Sequence, residues 1–296
     1  VPLVPGTKLL DTLEEAMSKV EEIGGYPVML KSTAGGGGIG LQRVDSDEEL
    51  KVAFTTVKHQ GEAYFGDSGV FMESFVENAR HVEVQVFGDG FGNAVALGVR
   101  DCSLQRRNQK VIEETPAPAM PAATSEHLKK CGANLVASMN YKCAGTIEFI
   151  YDSARDKFYF LEVNARLQVE HPITEMATGI DLVEWMLLVA ANRAPFNNET
   201  VIEAKGCAME ARLYAENPIK DFRPSPGQIT ELEFPSWARI DGWASKGTVI
   251  TSEFDPTIAK IIVQGATREE TLAKLQQALR ETVVGGIISN REYLLN

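Results

Sequence analysis

Paired carboxylates on facing strands are the chemistry-bearing feature that local pattern exposes best in this sequence. Thr146-Ile147-Glu148-Phe149-Ile150 and Phe158-Tyr159-Phe160-Leu161-Glu162-Val163-Asn164 read as strands joined by a polar turn from Asp152 to Lys157. With the turn centred on Arg155, Glu148 stands opposite Glu162, and the two-residue strand period puts Asn164 on the face of Glu162. Opposed carboxylates repel unless a cation sits between them. Glu148, Glu162 and Asn164 offer oxygen alone, which suits Mg2+ or Mn2+ completing its shell with water and phosphate. A merely solvated polar face, or a calcium site without nucleotide, are the other readings this pattern leaves open.

Upstream, Gly35-Gly36-Gly37-Gly38-Ile39-Gly40 separates a strand-like segment, Tyr26 to Lys31, from another, Leu41 to Val44. Gly35, Gly37 and Gly40 satisfy G-x-G-x-x-G, but a dinucleotide-binding turn needs a helix directly after it, and here a strand follows. A glycine loop between strands can lay backbone N–H groups over the phosphates of a nucleotide, with Lys31 at its entrance neutralising charge. A mobile surface hairpin with a solvated lysine fits the loop alone equally well. Arg100, Arg106, Arg107 and Lys110 crowd into one stretch of an otherwise acidic chain, as a local anion site or a solvated charged loop would. After the carboxylate hairpin come Arg166, Gln168, Val169 and Glu170, where Arg166 can hold a small carboxylate-like anion bidentately while Glu170 serves as its base. His171, directly before Pro172, has no evident partner and reads as structural.

The elements that must position these residues are mixed, giving an α+β class. Asp11 with Glu14 forms a capping box and Gly24-Gly25 a stop, so the pattern predicts a helix over 12–23; Ser46 with Glu49 opens another. The stretch from Gly69 to Val99 is strand-rich, with clear alternation in His81-Val82-Glu83-Val84-Gln85-Val86. Helices are expected over 124–139, over 180–192 behind Asp181, and over 268–282. Three lobes follow: 1–76, a small lobe with the glycine loop; 77–200, a central sheet lobe with the metal and anion residues; and 201–296, a C-terminal lobe.

A net charge of −12 argues against an open nucleic-acid surface and against general attraction to acidic lipid, so no nucleic-acid or membrane partner is expected. Cys102, Cys131, Cys143 and Cys207 form no Cys-x-x-Cys pair and read as free thiols of a cytoplasmic protein. No stretch has the pattern of a signal peptide or a spanning helix. Val1-Pro2-Leu3-Val4-Pro5-Gly6 reads as an internal strand and turn, so the sequence is expected to be a fragment.

Taken together, Lys31 with its glycine loop, Arg100 to Lys110, the carboxylate hairpin, and Glu162-Val163-Asn164-Ala165-Arg166-Leu167-Gln168-Val169-Glu170-His171-Pro172-Ile173-Thr174-Glu175 resemble the biotin carboxylases along nearly the whole chain. The resemblance implies an ATP-grasp fold: a small lid lobe, a central antiparallel sheet lobe, a C-terminal biotin carboxylase lobe, and a preceding N-terminal domain that this sequence lacks. It also implies that Lys31, Gly36, Gly37 and Gly38 cover the phosphates of ATP, that Glu73 and Val76 line the adenine hinge, and that His81, Gln105 and Asn108 lie near ribose and phosphates. Glu148, Glu162 and Asn164 are implied as Mg2+ or Mn2+ ligands. Lys110, Arg166, Gln168, the Val169 backbone and the base Glu170 are implied to hold bicarbonate, and Arg212 to stabilise the biotin enolate. Asn108 departs from the histidine that most of the family carries. The wording Lys31-Ser32-Thr33-Ala34, Tyr141-Lys142-Cys143-Ala144 and Asp181-Leu182-Val183-Glu184-Trp185-Met186 is similar to the urea carboxylase branch.

The activity implied is carboxylation of biotin by bicarbonate and ATP through carboxyphosphate, with biotin on a carboxyl carrier domain, a carboxyltransferase domain choosing the final acceptor, and the missing N-terminal domain completing the enzyme. A fragment of this kind is expected to be inactive alone. Three other readings stay open: the corresponding part of a pyruvate or acyl-CoA carboxylase, a ligase that passes its acyl phosphate to an amine, and a non-catalytic ATP-grasp module.

Overall fold

The computed structural model describes residues 1–36, 39–107 and 109–296; Gly37, Gly38 and Asn108, singled out above, lie outside the described residues. The chain forms two compact units, residues 1–79 with 150–161, and residues 80–149 with 162–296.

The first unit contains α1 (Leu13–Lys19), β1 (Val28–Gly36), β2 (Ile39–Val44), α2 (Asp47–Phe65) and β3 (Val70–Ser74). Its strands form an antiparallel sheet in the order β2-β1-β3. Alternation explains its core: Val28 and Leu30 turn inward with Val44, Val70 and Met72 and meet Leu50, Ala53, Phe54 and Val57 of α2. Ser46 caps α2 by accepting from the Glu49 amide, Glu49 reaches back to the Asp45 amide, and Gly66 closes the helix at φ 71°. The first helix corrects the expectation. Thr12, not Asp11, is its N-cap, accepting from the Glu15 amide, while Glu15 reaches back to the Asp11 amide at 3.0 Å. Both residues are good caps with a glutamate three positions on, and the packing of Leu13 and Met17 against the core selects the later register. The helix stops at Lys19, and a separate 3-10 turn, Glu21–Ile23, leads into Gly24 at φ 113°.

The second unit holds most of an eight-stranded sheet, of which the stretch 150–161, the hairpin end of the last two strands, belongs to the first unit. Its members are β4 (Arg80–Asp89), β5 (Ala94–Arg106), β6 (Gln109–Thr115), β7 (Lys142–Asp152), β8 (Lys157–Asn164), β9 (Cys207–Tyr214) and the later strands Arg239–Gly242 and Thr257–Gly265. The order is Arg239–Gly242, Thr257–Gly265, β9, β6, β5, β4, β7, β8. The hairpin turn between β7 and β8 runs over 153–156, with Asp152 Oδ1 accepting from the amides of Ala154 and Arg155. Helix α3 (Ala122–Ser138) lies on one face of β4, where Gly132 allows the approach: a Cβ there would meet Val84 and Val86 at 3.2 and 3.3 Å. Periodicity does not announce α4 (His171–Thr178), which is too short to show a pattern and opens on Pro172, whose fixed φ suits a first turn. Then come α5 (Leu182–Ala190), capped by Asp181, and α6 (Arg268–Glu281), capped by Thr267. Among the described residues, no helix is long and apolar enough to cross a membrane.

Candidate functional site

Strand alternation on β4 puts His81, Glu83 and Gln85 on the face opposite Val84 and Val86. That polar face is buried, because β4 is covered on both sides; Glu83 and Gln85 are wholly inaccessible. Glu83 lies directly across from Arg100 of β5, and the register alone brings the opposite charges together. Arg100 Nε donates to Glu83 Oε1 at 2.5 Å, and its other nitrogens reach Gln85 Oε1 (2.7 Å), Thr174 Oγ1 (3.0 Å), Thr146 Oγ1 (3.2 Å) and Gln168 Oε1 (3.2 Å). One buried guanidinium thus ties β4, β7, α4 and the loop before α4 into a single polar core.

Lys110, at the start of β6, is the second hub. Its Nζ donates to Glu83 Oε2 (2.6 Å), Glu148 Oε1 (3.0 Å) and Glu170 Oε1 (2.7 Å), using all three ammonium protons. Glu170 is the N-cap residue of α4, yet its side chain makes no capping bond. It turns instead between Lys110 and Arg212, whose guanidinium donates to Glu170 Oε2 at 3.0 Å and to Glu113 Oε1 at 2.6 Å. Gln168 bridges the hubs, accepting from Arg100 and donating to Glu148 Oε1 at 2.8 Å. Lys260 donates to the Val169 carbonyl at 2.6 Å and holds the loop from below. His171 has a partner after all: its Nδ1 donates to the Gln168 carbonyl at 2.7 Å, which fixes the ring's proton on that nitrogen.

Burial alone raises the Glu83 carboxyl, but Arg100 and Lys110 outweigh it and hold it at about 2. Glu148 is also held at about 2, against burial, by His81 and Lys110. His81 Nε2 lies 3.0 Å from Glu148 Oε2 but off the direction of a hydrogen bond, so its contribution is one of proximity. Both carboxyls fall below their ordinary 4.5, so each stabilises the fold above that pH and loses the contribution as pH falls toward about 2. Denaturant unfolding should therefore show stability falling steeply from about pH 4.5 to about pH 2, with a shallower slope in Lys110→Met. An unchanged slope would contradict the assignment of Lys110 as the common cation.

Of the remaining expected residues, those of the second unit make no hydrogen bond to this cluster among the described residues. Lys31 pairs with Glu73 across the first unit's sheet, and Val76 is half-buried beyond β3. Gln105 turns back onto the Cys102 carbonyl at 2.8 Å. Glu162 is exposed on β8, with Asn164 Nδ2 3.5 Å from its Oε1. Arg166 is exposed; it touches Asn164 Oδ1 at 3.3 Å and makes no ion pair among the described residues. The basic run is neither a bare anion site nor a solvated loop, for each of its four cations meets a carboxylate of the chain: Arg100 with Glu83, Arg106 with Glu216, Arg107 with Asp221, and Lys110 as above. Sequence reasoning missed Glu83, Glu113, Glu210 and Lys260. The alternation in His81-Val82-Glu83-Val84-Gln85 was the available signal for Glu83, but such alternation normally marks a wet face.

Sequence and structure comparisons show what the chain is similar to. The family pattern described as the carbamoyl-phosphate synthase L chain, ATP binding domain matches residues 1–195, and the biotin carboxylase C-terminal domain matches 210–296. The chain is 64% identical to urea amidolyase of Saccharomyces cerevisiae over 294 residues, 99% of this chain but only 16% of that protein. The crystal structure of the Kluyveromyces lactis urea carboxylase superposes with a TM-score of 0.73 at 64% identity, over 75% of this chain and 20% of that one. The biotin carboxylase domain of Hydrogenobacter thermophilus 2-oxoglutarate carboxylase, crystallised with MgADP, ADP and bicarbonate, matches all of this chain and 65% of its own at TM-score 0.92 and 38% identity.

Proposed function

Because the chain belongs to the ATP-grasp family, within its biotin carboxylases, we propose that it carboxylates biotin with bicarbonate and ATP, as the first half-reaction of a urea carboxylase. The observation that carries this reading is the Glu170 carboxylate, buried at an N-cap and gripped by Lys110 and Arg212. A base that must take a proton from bicarbonate needs its carboxylate oxygens held in place, and two charge-assisted bonds do that. In this reading Lys110, Arg166, Gln168 and the Val169 backbone hold bicarbonate, and Glu170 removes its proton. The bicarbonate oxygen attacks the γ-phosphorus of ATP as ADP departs, and Lys31 offsets the charge that develops. The resulting carboxyphosphate gives CO2 and phosphate; phosphate takes the ureido proton of biotin, Arg212 faces the negative charge left on the ureido oxygen, and the nitrogen captures CO2.

The roles of the other residues follow the family. Lys31 with Gly36, Gly37 and Gly38 serves the phosphates, Glu73 and Val76 the adenine, and His81, Gln105 and Asn108 the ribose and phosphates. The donor set of Glu148, Glu162 and Asn164 is oxygen only, and Glu162 and Asn164 lie adjacent on one strand face, which fits a hard divalent cation. Mg2+ or Mn2+ bound there supplies charge neutralisation at the phosphate oxygens. Residues 1–76 are assigned as the lid lobe, 77–200 as the central lobe and 201–296 as the C-terminal lobe. A biotin carboxyl carrier domain, a carboxyltransferase domain and a leading N-terminal domain are the proposed partners, in the cytoplasm. The 64% identity to a urea amidolyase, against 38% to a 2-oxoglutarate carboxylase domain, favours urea as the final acceptor. The test is ADP release by the full-length protein with bicarbonate, with and without free biotin, followed by urea. ATP cleavage that requires bicarbonate and rises with biotin is expected; cleavage indifferent to biotin sinks the proposal.

A further inference from the structure

Behind Arg212 lies a second carboxylate pair that the reaction above does not use. Glu113 of β6 and Glu210 of β9 are direct cross-strand partners, and both are wholly inaccessible. Side chains so placed share a sheet face, with Cβ atoms about 4.5–5.5 Å apart. Arg212, two residues along β9, lies on the same face and bonds Glu113 Oε1. Lys260, opposite Arg212 on the neighbouring strand, comes only within 4.0 Å of Glu210 Oε2; its hydrogen bond goes to the Val169 carbonyl, and Asp241 also faces it at 3.6 Å. From the α4 side the face receives Glu170 and apolar Ile173, and Ile262 stands opposite Glu210. Lys110 faces the cluster from β6 but is spent on Glu83, Glu148 and Glu170.

Three acceptor atoms are left over: Glu113 Oε2 and both oxygens of Glu210 have no hydrogen-bond partner. Two buried carboxylates at one site cannot both ionise without a cation for each, and here Arg212 is shared and Lys260 is distant. A single proton removes one charge and supplies the missing donor. Glu113, in contact with Arg212, is the better anion; Glu210, with no bonded cation, is the better acid. Burial raises both carboxyls, helped by repulsion from Glu170 at Glu113 and from Glu113 at Glu210, while Arg212 is the main opposing cation at Glu113 and Lys260 at Glu210.

We propose that Glu113 and Glu210 share one proton, Glu210 as the neutral acid donating to the Glu113 anion, and that the pair is a positioning device for Arg212. With Glu210 neutral, one anion holds the β6 side of the guanidinium, and its NH2 edge stays on Glu170. Ionising Glu210 places a second charge behind Arg212 and draws it from Glu170, so the pair sets an alkaline limit on turnover. The role assigned to Arg212 and Glu170 rests on the reading above; the shared proton does not.

The experiment uses the full-length protein and two readouts. Infrared difference spectra across a pH titration should show, at neutral pH, the C=O stretch of a buried protonated carboxylic acid, and Glu210→Gln should lack it. Glu210→Ala should lower kcat by about 10- to 100-fold, the range for groups that orient a reacting centre. Glu210→Gln, a neutral isostere with its own donor, should restore turnover and remove the alkaline decline. Absence of the protonated-acid band in the unaltered protein overturns the proposal even where a variant does not fold. Persistence of the alkaline decline in Glu210→Gln, or no rescue relative to Glu210→Ala, overturns the positioning role. A band present in a protein whose ATP cleavage ignores biotin leaves the shared proton standing and removes the proposed function.

Discussion

Replacing Glu170 with Gln in the full-length protein is expected to lower bicarbonate-dependent ATP cleavage by about 10²- to 10⁴-fold, the usual cost of losing a general base, while leaving ATP affinity nearly intact. The substitution keeps the shape of the side chain and removes its ability to accept a proton. It should not unravel the cluster, since Lys110 retains Glu83 and Glu148 and Arg212 retains Glu113. Stability and catalysis are therefore separable at this position. Steady-state ADP release against bicarbonate concentration, beside ATP binding by calorimetry, checks it. A parallel loss of nucleotide binding would mean that Glu170 supports the loop and not the chemistry.

Arg100→Met should be far more costly to the fold than any surface charge change, by about 3–5 kcal/mol, because it strands a buried carboxylate. Glu83 would keep only Lys110, and the partners in Gln85, Thr146, Gln168 and Thr174 would each lose a donor. Lysine at this position cannot restore the fan of bonds, having a single nitrogen where the guanidinium has three. Arg107→Ala, which breaks an exposed pair with Asp221, should change stability by less than about 1 kcal/mol. Coupling to Glu83 gives the sharper test: Glu83→Gln should recover part of the loss when combined with Arg100→Met, since it removes the stranded charge. Denaturant unfolding of the variants measures both effects, and an Arg100→Met cost no larger than that of Arg107→Ala would overturn the account.

What the sequence determined by itself were features decided within a few residues or shared by a whole family. Ser46, Asp181 and Thr267 cap their helices because the donor they accept lies three residues on, a separation that any chain containing those residues carries. Thr12 shows the limit of that logic, for Asp11 is an equally good cap and core packing chose between them. The ATP-grasp architecture was legible from the combined motifs and agrees with the family matches. Alternation on β4 likewise shows that His81, Glu83 and Gln85 share a face.

Only the tertiary structure decided what covers that face. Glu83 is buried because α4 and the loop carrying Gln168 and Glu170 lie over it; Arg100 reaches Thr174 across a separation of 74 residues, and Arg212 reaches Glu113 across 99. Strand period fixes which residues point together, but whether they meet water or another layer depends on segments that local pattern cannot pair. The opposed glutamates Glu113 and Glu210 could not be foreseen for the same reason, since the register of β6 on β9 is set by the whole sheet. A charge run that by itself fitted either an anion site or a solvated loop was instead drawn inward by the fold, which buries Arg100 completely and leaves Lys110 half-buried, because each meets carboxylates brought to it from distant segments.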